Sequence, residues 1–129
     1  MGLLVDTSVL VAAEREGASL GVPADEEVGL STVVLMEYWK GVERAGSALR
    51  RRGRVEFFER VTATFQLFPV TAATATTAAR VWSDLVDAGI AVGSVDLLIA
   101  ATALERDWTL MTLDMRHFGR VPGLRVLGP

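Results

Sequence analysis

The chain has no cysteine and only one histidine, His117, among its 129 residues. Disulfides and thiolate metal sites are therefore excluded, and carboxylate oxygens are left as the main candidate metal ligands, a donor set suited to hard cations such as Mg²⁺ or Mn²⁺. No apolar run is long enough to cross a membrane: the strongest, Leu97 to Leu104, falls well short of the ~20 residues a spanning helix needs and reads as a buried helix. No basic segment precedes an apolar stretch at the start, as a secretory signal would require, so a cytoplasmic location and no membrane association are expected. Excess positive charge is lacking too. A net charge of −3 argues against a nucleic-acid binder that works by bulk attraction. It does not exclude phosphate ligands, because a cation held by a few of the 16 acidic residues would reverse the local sign.

What is present is a half-hydrophobic chain, long enough to bury a core as one domain over residues 1–129. Strand and helix patterns alternate along it. Strands are predicted at 2–6, 28–30, 66–70, 108–112 and 124–127. Helices are predicted at 9–16, 32–44, 47–65, 72–87, 95–106 and 115–118, with a loop over 17–27. Ser31 or Thr32 and then Ser94 are expected to cap helices, Gly89 to end one, and Pro69 to place its strand at a sheet edge. This alternation predicts an α/β fold with a mainly parallel central sheet and helices on both faces.

Four acids stand out against this pattern, because an unpaired carboxylate is costly to keep charged in apolar surroundings. Asp6 ends the apolar run Gly2-Leu3-Leu4-Val5, and Asp114 follows the strand that ends at Thr112. Both should lie at the carboxyl edge of the sheet, where open α/β sheets bind ligands. Each also has a plain reading as a helix N-cap, the better one for Asp6 taken alone and an even one for Asp114. Glu37 shares a helix face with Val33, Val34 and Gly41. An exposed pair with Lys40 is the bland alternative, and Gly41 suggests open space beside the carboxylate. Asp96 falls in the first turn of a helix that continues Leu97-Leu98-Ile99-Ala100-Ala101, where the helix dipole favours a negative charge. Thr112 and His117 flank Asp114 with groups able to hold water or a phosphate oxygen. Among the basic residues, Arg116 lies beside this constellation. The run Arg50, Arg51, Arg52, Arg54 could meet phosphates, although a solvated helix face is the slightly better explanation. Tyr38-Trp39 and Phe57-Phe58 could form a partner surface, but such spacings more often mark core.

Taken together, Leu3-Leu4-Val5-Asp6-Thr7-Ser8, Glu37-Tyr38-Trp39-Lys40-Gly41, Val95-Asp96-Leu97-Leu98-Ile99-Ala100-Ala101 and Thr112-Leu113-Asp114-Met115-Arg116-His117-Phe118 resemble the PIN-domain ribonucleases. Within these, they are most similar to the VapC toxins, with four motifs in the family's order across essentially the whole chain. In the last motif many relatives carry Asn where this chain has Asp114 and Asp where it has His117, so the acid comes earlier here. The resemblance implies a single PIN-like domain and a Mg²⁺- or Mn²⁺-dependent endoribonuclease. It implies a homodimer that a cognate VapB-like antitoxin inhibits and an RNA substrate. It makes Asp6, Glu37, Asp96 and Asp114 the catalytic and metal-binding quartet, with Thr7, Ser8, Thr112 and His117 as polar support. Arg116, Arg50 and Arg51 are the candidates for touching RNA. The rival expectation is a non-catalytic protein- or RNA-binding module of the same fold, in which the acids are only caps.

Overall fold

The computed structural model describes residues 2–17 and 19–129. Met1 and the Ala18 position of the loop predicted over 17–27 lie outside the described residues. Five strands, β1 (Gly2–Val5), β2 (Glu27–Ser31), β3 (Gln66–Phe68), β4 (Thr109–Met111) and β5 (Val126–Leu127), form one sheet in the order β3-β2-β1-β4-β5, and every pairing is parallel. Six helices connect them: α1 (Thr7–Glu16), α2 (Thr32–Glu43), α3 (Ala48–Val61), α4 (Ala72–Asp87), α5 (Ser94–Arg106) and α6 (Met115–Phe118).

From β1 the chain steps outward through β2 to β3, then returns across the sheet to β4 and β5 on the other side. Right-handed crossovers then put α1, α2 and α3 on one face and α4, α5 and α6 on the other. The reversal opens a crevice between the carboxyl ends of β1 and β4, the switch point where open parallel sheets bind their ligands. β1 is covered on both sides, so Leu4 and Val5 are fully buried and the strand reads as an unbroken apolar run rather than an alternating one. No helix among the described residues is long and apolar enough to cross a membrane.

Several predicted boundaries shift for local reasons. The third helix stops at Val61 rather than reaching residue 65, because the Thr62 hydroxyl bonds back to the Phe58 carbonyl at 2.6 Å and the chain turns there. Ser94 is not a cap: it is the first residue of α5, and the extended residue before it is Gly93. Ser31 does cap α2, accepting from the Val33 amide at 3.1 Å, and Gly89 ends α4 with a φ of 75°. β3 is an edge strand, with Pro69 immediately beyond it.

The aromatic pairs belong to the core. Tyr38, Phe57 and Phe58 are buried, with Tyr38 and Phe58 centroids 5.0 Å apart and Trp39 edge-on to Phe58 at 5.6 Å. The Tyr38 hydroxyl donates to Glu14 Oε2 at 2.7 Å, and Arg54 Nε pairs with Glu14 at 3.2 Å while its guanidinium lies 5.1 Å over the Tyr38 ring. α1, α2 and α3 are thus tied through one polar knot. Burial and the neighbouring Glu14 carboxylate push the Tyr38 phenol well above its ordinary range, so it is a permanent donor. Gly41 serves this knot: a Cβ there would run into the Arg54 guanidinium, so the space beside Gly41 is filled by Arg54 and is not an opening beside Glu37.

On β2, Gly29 seats an aromatic side chain. A Cβ at Gly29 would lie 2.5 Å from the Phe68 ring and 3.0 Å from the Gln66 carbonyl, and Phe68 packs edge-on to Trp108 at 5.1 Å. Gly29→Ala is therefore expected to destabilise the protein by about 1–3 kcal/mol, the usual cost of overpacking. A urea denaturation midpoint equal to that of the wild type would show that the ring moves away freely.

Candidate functional site

Asp6 follows β1 directly, with its amide donating to the Met111 carbonyl at 2.9 Å, so it is pinned between β1 and β4 at the switch point. The residue is only 6% exposed. Although Asp6 is the N-cap residue of α1, its side chain makes no capping bond, and the plain reading of this carboxylate fails. Oδ2 instead accepts from Ser8 Oγ and from Thr112 Oγ1, each at 2.8 Å. Each hydroxyl has one proton and directs it to Asp6. Each is aimed from behind by a backbone amide: Leu113 N–H donates to Ser8 Oγ at 3.1 Å and Asp114 N–H to Thr112 Oγ1 at 2.9 Å. The carboxylate plane is thereby fixed, and Oδ1 has no side-chain donor among the described residues. Removing the Thr112 hydroxyl leaves the Asp114 amide without its acceptor, so Thr112→Val should cost about 1–3 kcal/mol in stability. An unchanged denaturation midpoint would contradict that wiring.

Glu37, on α2, faces α1 and accepts from Thr7 Oγ1 at 2.8 Å. The exposed pair with Lys40 does not form among the described residues. Asp96 stands in the first turn of α5, half-buried, on the far side of the crevice. Its carboxyl is held above the ordinary carboxylate range, first by burial and then by the charges of Asp6, Glu37 and Asp114. Asp96 is therefore acted on by three acids from three other segments. No three Asp, Glu or His side chains among the described residues converge into a direct ligand set. What the quartet shares is a concentrated negative field over the crevice.

Asp114 does cap its helix, accepting from the His117 amide at 3.2 Å, and its other oxygen meets His117 Nδ1 at 2.8 Å. The His117 bond holds the Asp114 carboxyl below its usual range, against a smaller opposing effect of burial. The imidazole is thus engaged with Asp114. Arg116 is exposed beside it and also lowers the Asp114 carboxyl. Arg50 and Arg51 are exposed on α3 and take no part in the hydrogen bonds around the acids; Arg51 pairs with Glu43 at 2.7 Å.

By its chemistry alone, the donor set suits a hard divalent cation. It consists of carboxylate oxygens, with no thiolate, and mutual repulsion among them would be relieved by one positive charge. The same repulsion disfavours a bare anion.

Against known proteins, residues 3–124 match the PIN domain family. Ribonuclease VapC1 of Rickettsia felis is 36% identical over 128 residues, covering 98% of this chain and 96% of that protein. The chain belongs to the PIN-domain VapC ribonuclease family. Ribonuclease VapC of Rickettsia bellii is similar at 34% identity over the same span. Among solved structures, VapBC-5 from Mycobacterium tuberculosis shares 32% identity with a TM-score of 0.76, covering 98% of this chain and 95% of that one. VapBC2 from Rickettsia felis, bound to a DNA fragment from its promoter, superposes with a TM-score of 0.84 over the whole of this chain and 99% of the other. At 21% identity that likeness is one of fold, and it agrees with the single α/β domain and parallel sheet expected from the sequence.

One part of the site escaped the sequence reading: the backbone amides of Leu113 and Asp114 that aim Ser8 and Thr112. The signal was available in the strand-end pattern Thr112-Leu113-Asp114, where a hydroxyl followed two residues on by an exposed amide is a common local turn.

Proposed function

We propose that this protein is a metal-dependent endoribonuclease, the toxin of a VapBC-type pair, comprising one PIN domain over residues 1–129. The observation that carries the reading is the buried Asp6 carboxylate at the switch point, which makes no helix-capping bond and is instead gripped by Ser8 and Thr112. Its relatives at 34–36% identity are named ribonucleases, which supports RNA as the substrate.

Mg²⁺ or Mn²⁺ drawn to the crevice by the negative charge of Asp6, Glu37 and Asp96, with Asp114 beside them, would supply the activation of water and the neutralisation of phosphate charge that phosphodiester hydrolysis needs. The chain's own residues do the rest. Ser8 and Thr112 fix the Asp6 carboxylate through Oδ2, and Thr7 holds Glu37. His117 orients Asp114, and Arg116 stands beside them to meet an RNA phosphate. Arg50 and Arg51 offer further backbone contacts along α3.

A cognate VapB-like antitoxin as the inhibitory partner is supported by the VapBC complexes among the structural neighbours. Trp82 and Val86, exposed one turn apart on α4, offer apolar area for such a partner or for a homodimer. A toxin of this kind would act in the cytoplasm, where its RNA is.

Product ends test the chemistry. Attack by water, with no role for the RNA 2′-hydroxyl, leaves 5′-phosphate and 3′-hydroxyl ends. RNA incubated with the protein and Mn²⁺ should give fragments that ligate directly without end repair. Fragments ending in 2′,3′-cyclic phosphate would contradict the mechanism, and uncut RNA would favour a binding module.

A further inference from the structure

Beside the carboxylates lies a cleft whose Arg120 has so far been given no task. Its volume is about 190 Å³, and it runs between the turn at Gly89, Ile90 and Ala91 and the side chains of Arg116, His117 and Arg120. Both walls are well defined. The α4 end is closed by Gly89 N–H to Val86 O at 2.9 Å and Ile90 N–H to Leu85 O at 2.8 Å, with Gly89 in the left-handed region. Across from it, α6 continues into a tight turn, with Arg120 N–H bonded to the His117 carbonyl at 3.3 Å. Gly119 permits the turn, since a Cβ there would lie 2.5 Å from the Met115 carbonyl. The result sets Arg116 and Arg120 one helical turn apart on one side.

Neither arginine has a carboxylate within ion-pair distance among the described residues, although Arg116 stands near enough to Asp114 to lower its carboxyl. Nor do the carbonyls at the end of α4 account for them: those of Asp84, Leu85 and Val86 already accept from backbone amides. Two exposed, unpaired guanidinium groups around one cleft are notable in a chain of net charge −3. They are free to meet an anion, and guanidinium suits phosphate in particular. The Asp114–His117 bond of 2.8 Å joins this cleft to the carboxylate crevice, so a strand crossing one passes the other.

We infer that the cleft lined by Arg116, His117 and Arg120 is a subsite for a second phosphate of the RNA strand, one that is held while its neighbour in the acidic crevice is cut. The subsite rests on the ribonuclease reading and adds Arg120 as a substrate contact. It offsets the repulsion that an acidic site exerts on a polyanion, so the strand is anchored by one phosphate as another approaches the carboxylates. A fixed distance between anchor and cut would follow, independent of base sequence.

Binding measured without cleavage tests this. A fluorescent single-stranded RNA oligonucleotide is titrated in EDTA with the wild type, Arg120→Ala, Arg120→Lys, the Arg116→Ala/Arg120→Ala double variant and Arg80→Ala, an exposed arginine on α4. The titrations are repeated over a NaCl series. Arg120→Ala should weaken binding roughly three- to tenfold and lower the slope of log K against log [salt] by about 0.7, the value for one phosphate contact to a single strand. The double variant should lower the slope by about 1.4. Arg120→Lys should keep the wild-type slope and most of the affinity, and Arg80→Ala should match the wild type. Unchanged affinity and slope in Arg120→Ala, with the wild type still cutting RNA, would overturn the subsite and leave the ribonuclease reading standing. So would a loss confined to binding of an acidic partner protein. A wild type that neither binds nor cuts RNA would overturn both.

Discussion

Asp96→Asn should remove RNA cleavage and make the metal-free protein more stable. The activity loss is expected to be at least about 100-fold, since even the outer partners of a metal ligand are worth 10–100-fold. The stability gain follows from the cause of the Asp96 shift. Burial and three neighbouring carboxylates hold its folded pKa above the ordinary 3.8. Ionising Asp96 therefore costs folding free energy. The cost is absent below the unfolded value, grows as pH rises from about 3.8, and is complete above the raised folded value. Asp114 works the other way: its lowered carboxyl contributes stability at neutral pH that is lost as pH falls through the depressed value. The Asp96→Asn substitution deletes only the first effect. Urea denaturation in EDTA from pH 3 to 8 should show the variant gaining on the wild type as pH rises. Equal stability across that range would mean that the four acids do not share a field.

The second large effect is metal-linked stability. A cation that binds the folded protein alone stabilises it by RT ln(1 + [L]/Kd), about 2.7 kcal/mol at a hundredfold excess over Kd. For a domain of this size that corresponds to a rise in Tm of roughly 10 °C. Mn²⁺ or Mg²⁺ should produce such a rise in the wild type and little of it in Asp6→Asn or Asp96→Asn. Asp114→Asn should keep more of the response, because both Asp114 oxygens are already engaged by His117. Identical responses in all four proteins would place the cation elsewhere. Ca²⁺ in parallel separates a cage that demands small octahedral geometry from one that accepts any hard cation.

Much of the architecture was legible because the sequence is locally consistent. β1 reads as a strand from an unbroken apolar run and β4 from Trp108-Thr109-Leu110-Met111-Thr112, and each delivers its acid to the sheet's carboxyl edge without any long-range information. The placement of Asp96 opposite Asp6 needed the crossover rule, which sequence order alone supports. What could not be read were contacts between distant residues. Glu14, Tyr38 and Arg54 form their knot across separations of 24 and 40 residues, so Gly41 looked like space beside Glu37 when its task is to admit Arg54. Asp6 looked like a helix cap because the backbone there is a cap; only the positions of Ser8 and Thr112, 104 residues apart, redirect its side chain. The boundary error at Thr62 has its origin in a hydroxyl group, whose choice between capping, back-bonding and solvent is settled by a few ångströms of geometry.

The cleft at Arg116 and Arg120 was half visible. Arg116 drew notice from its place next to Asp114, but Arg120 lies outside α6 and joins it only because Gly119 lets the chain tighten against the Met115 carbonyl.

The most direct measurement is single-turnover cleavage of a labelled RNA by metal-stripped protein to which Mn²⁺ is returned stepwise, with Asp6→Asn carried through the same preparation. Cleavage by the wild type that rises from background and saturates with Mn²⁺, and that stays at background in a folded Asp6→Asn at every Mn²⁺ concentration, is the predicted result. Cleavage by the wild type in EDTA, or equal cleavage by Asp6→Asn at saturating Mn²⁺, would contradict it.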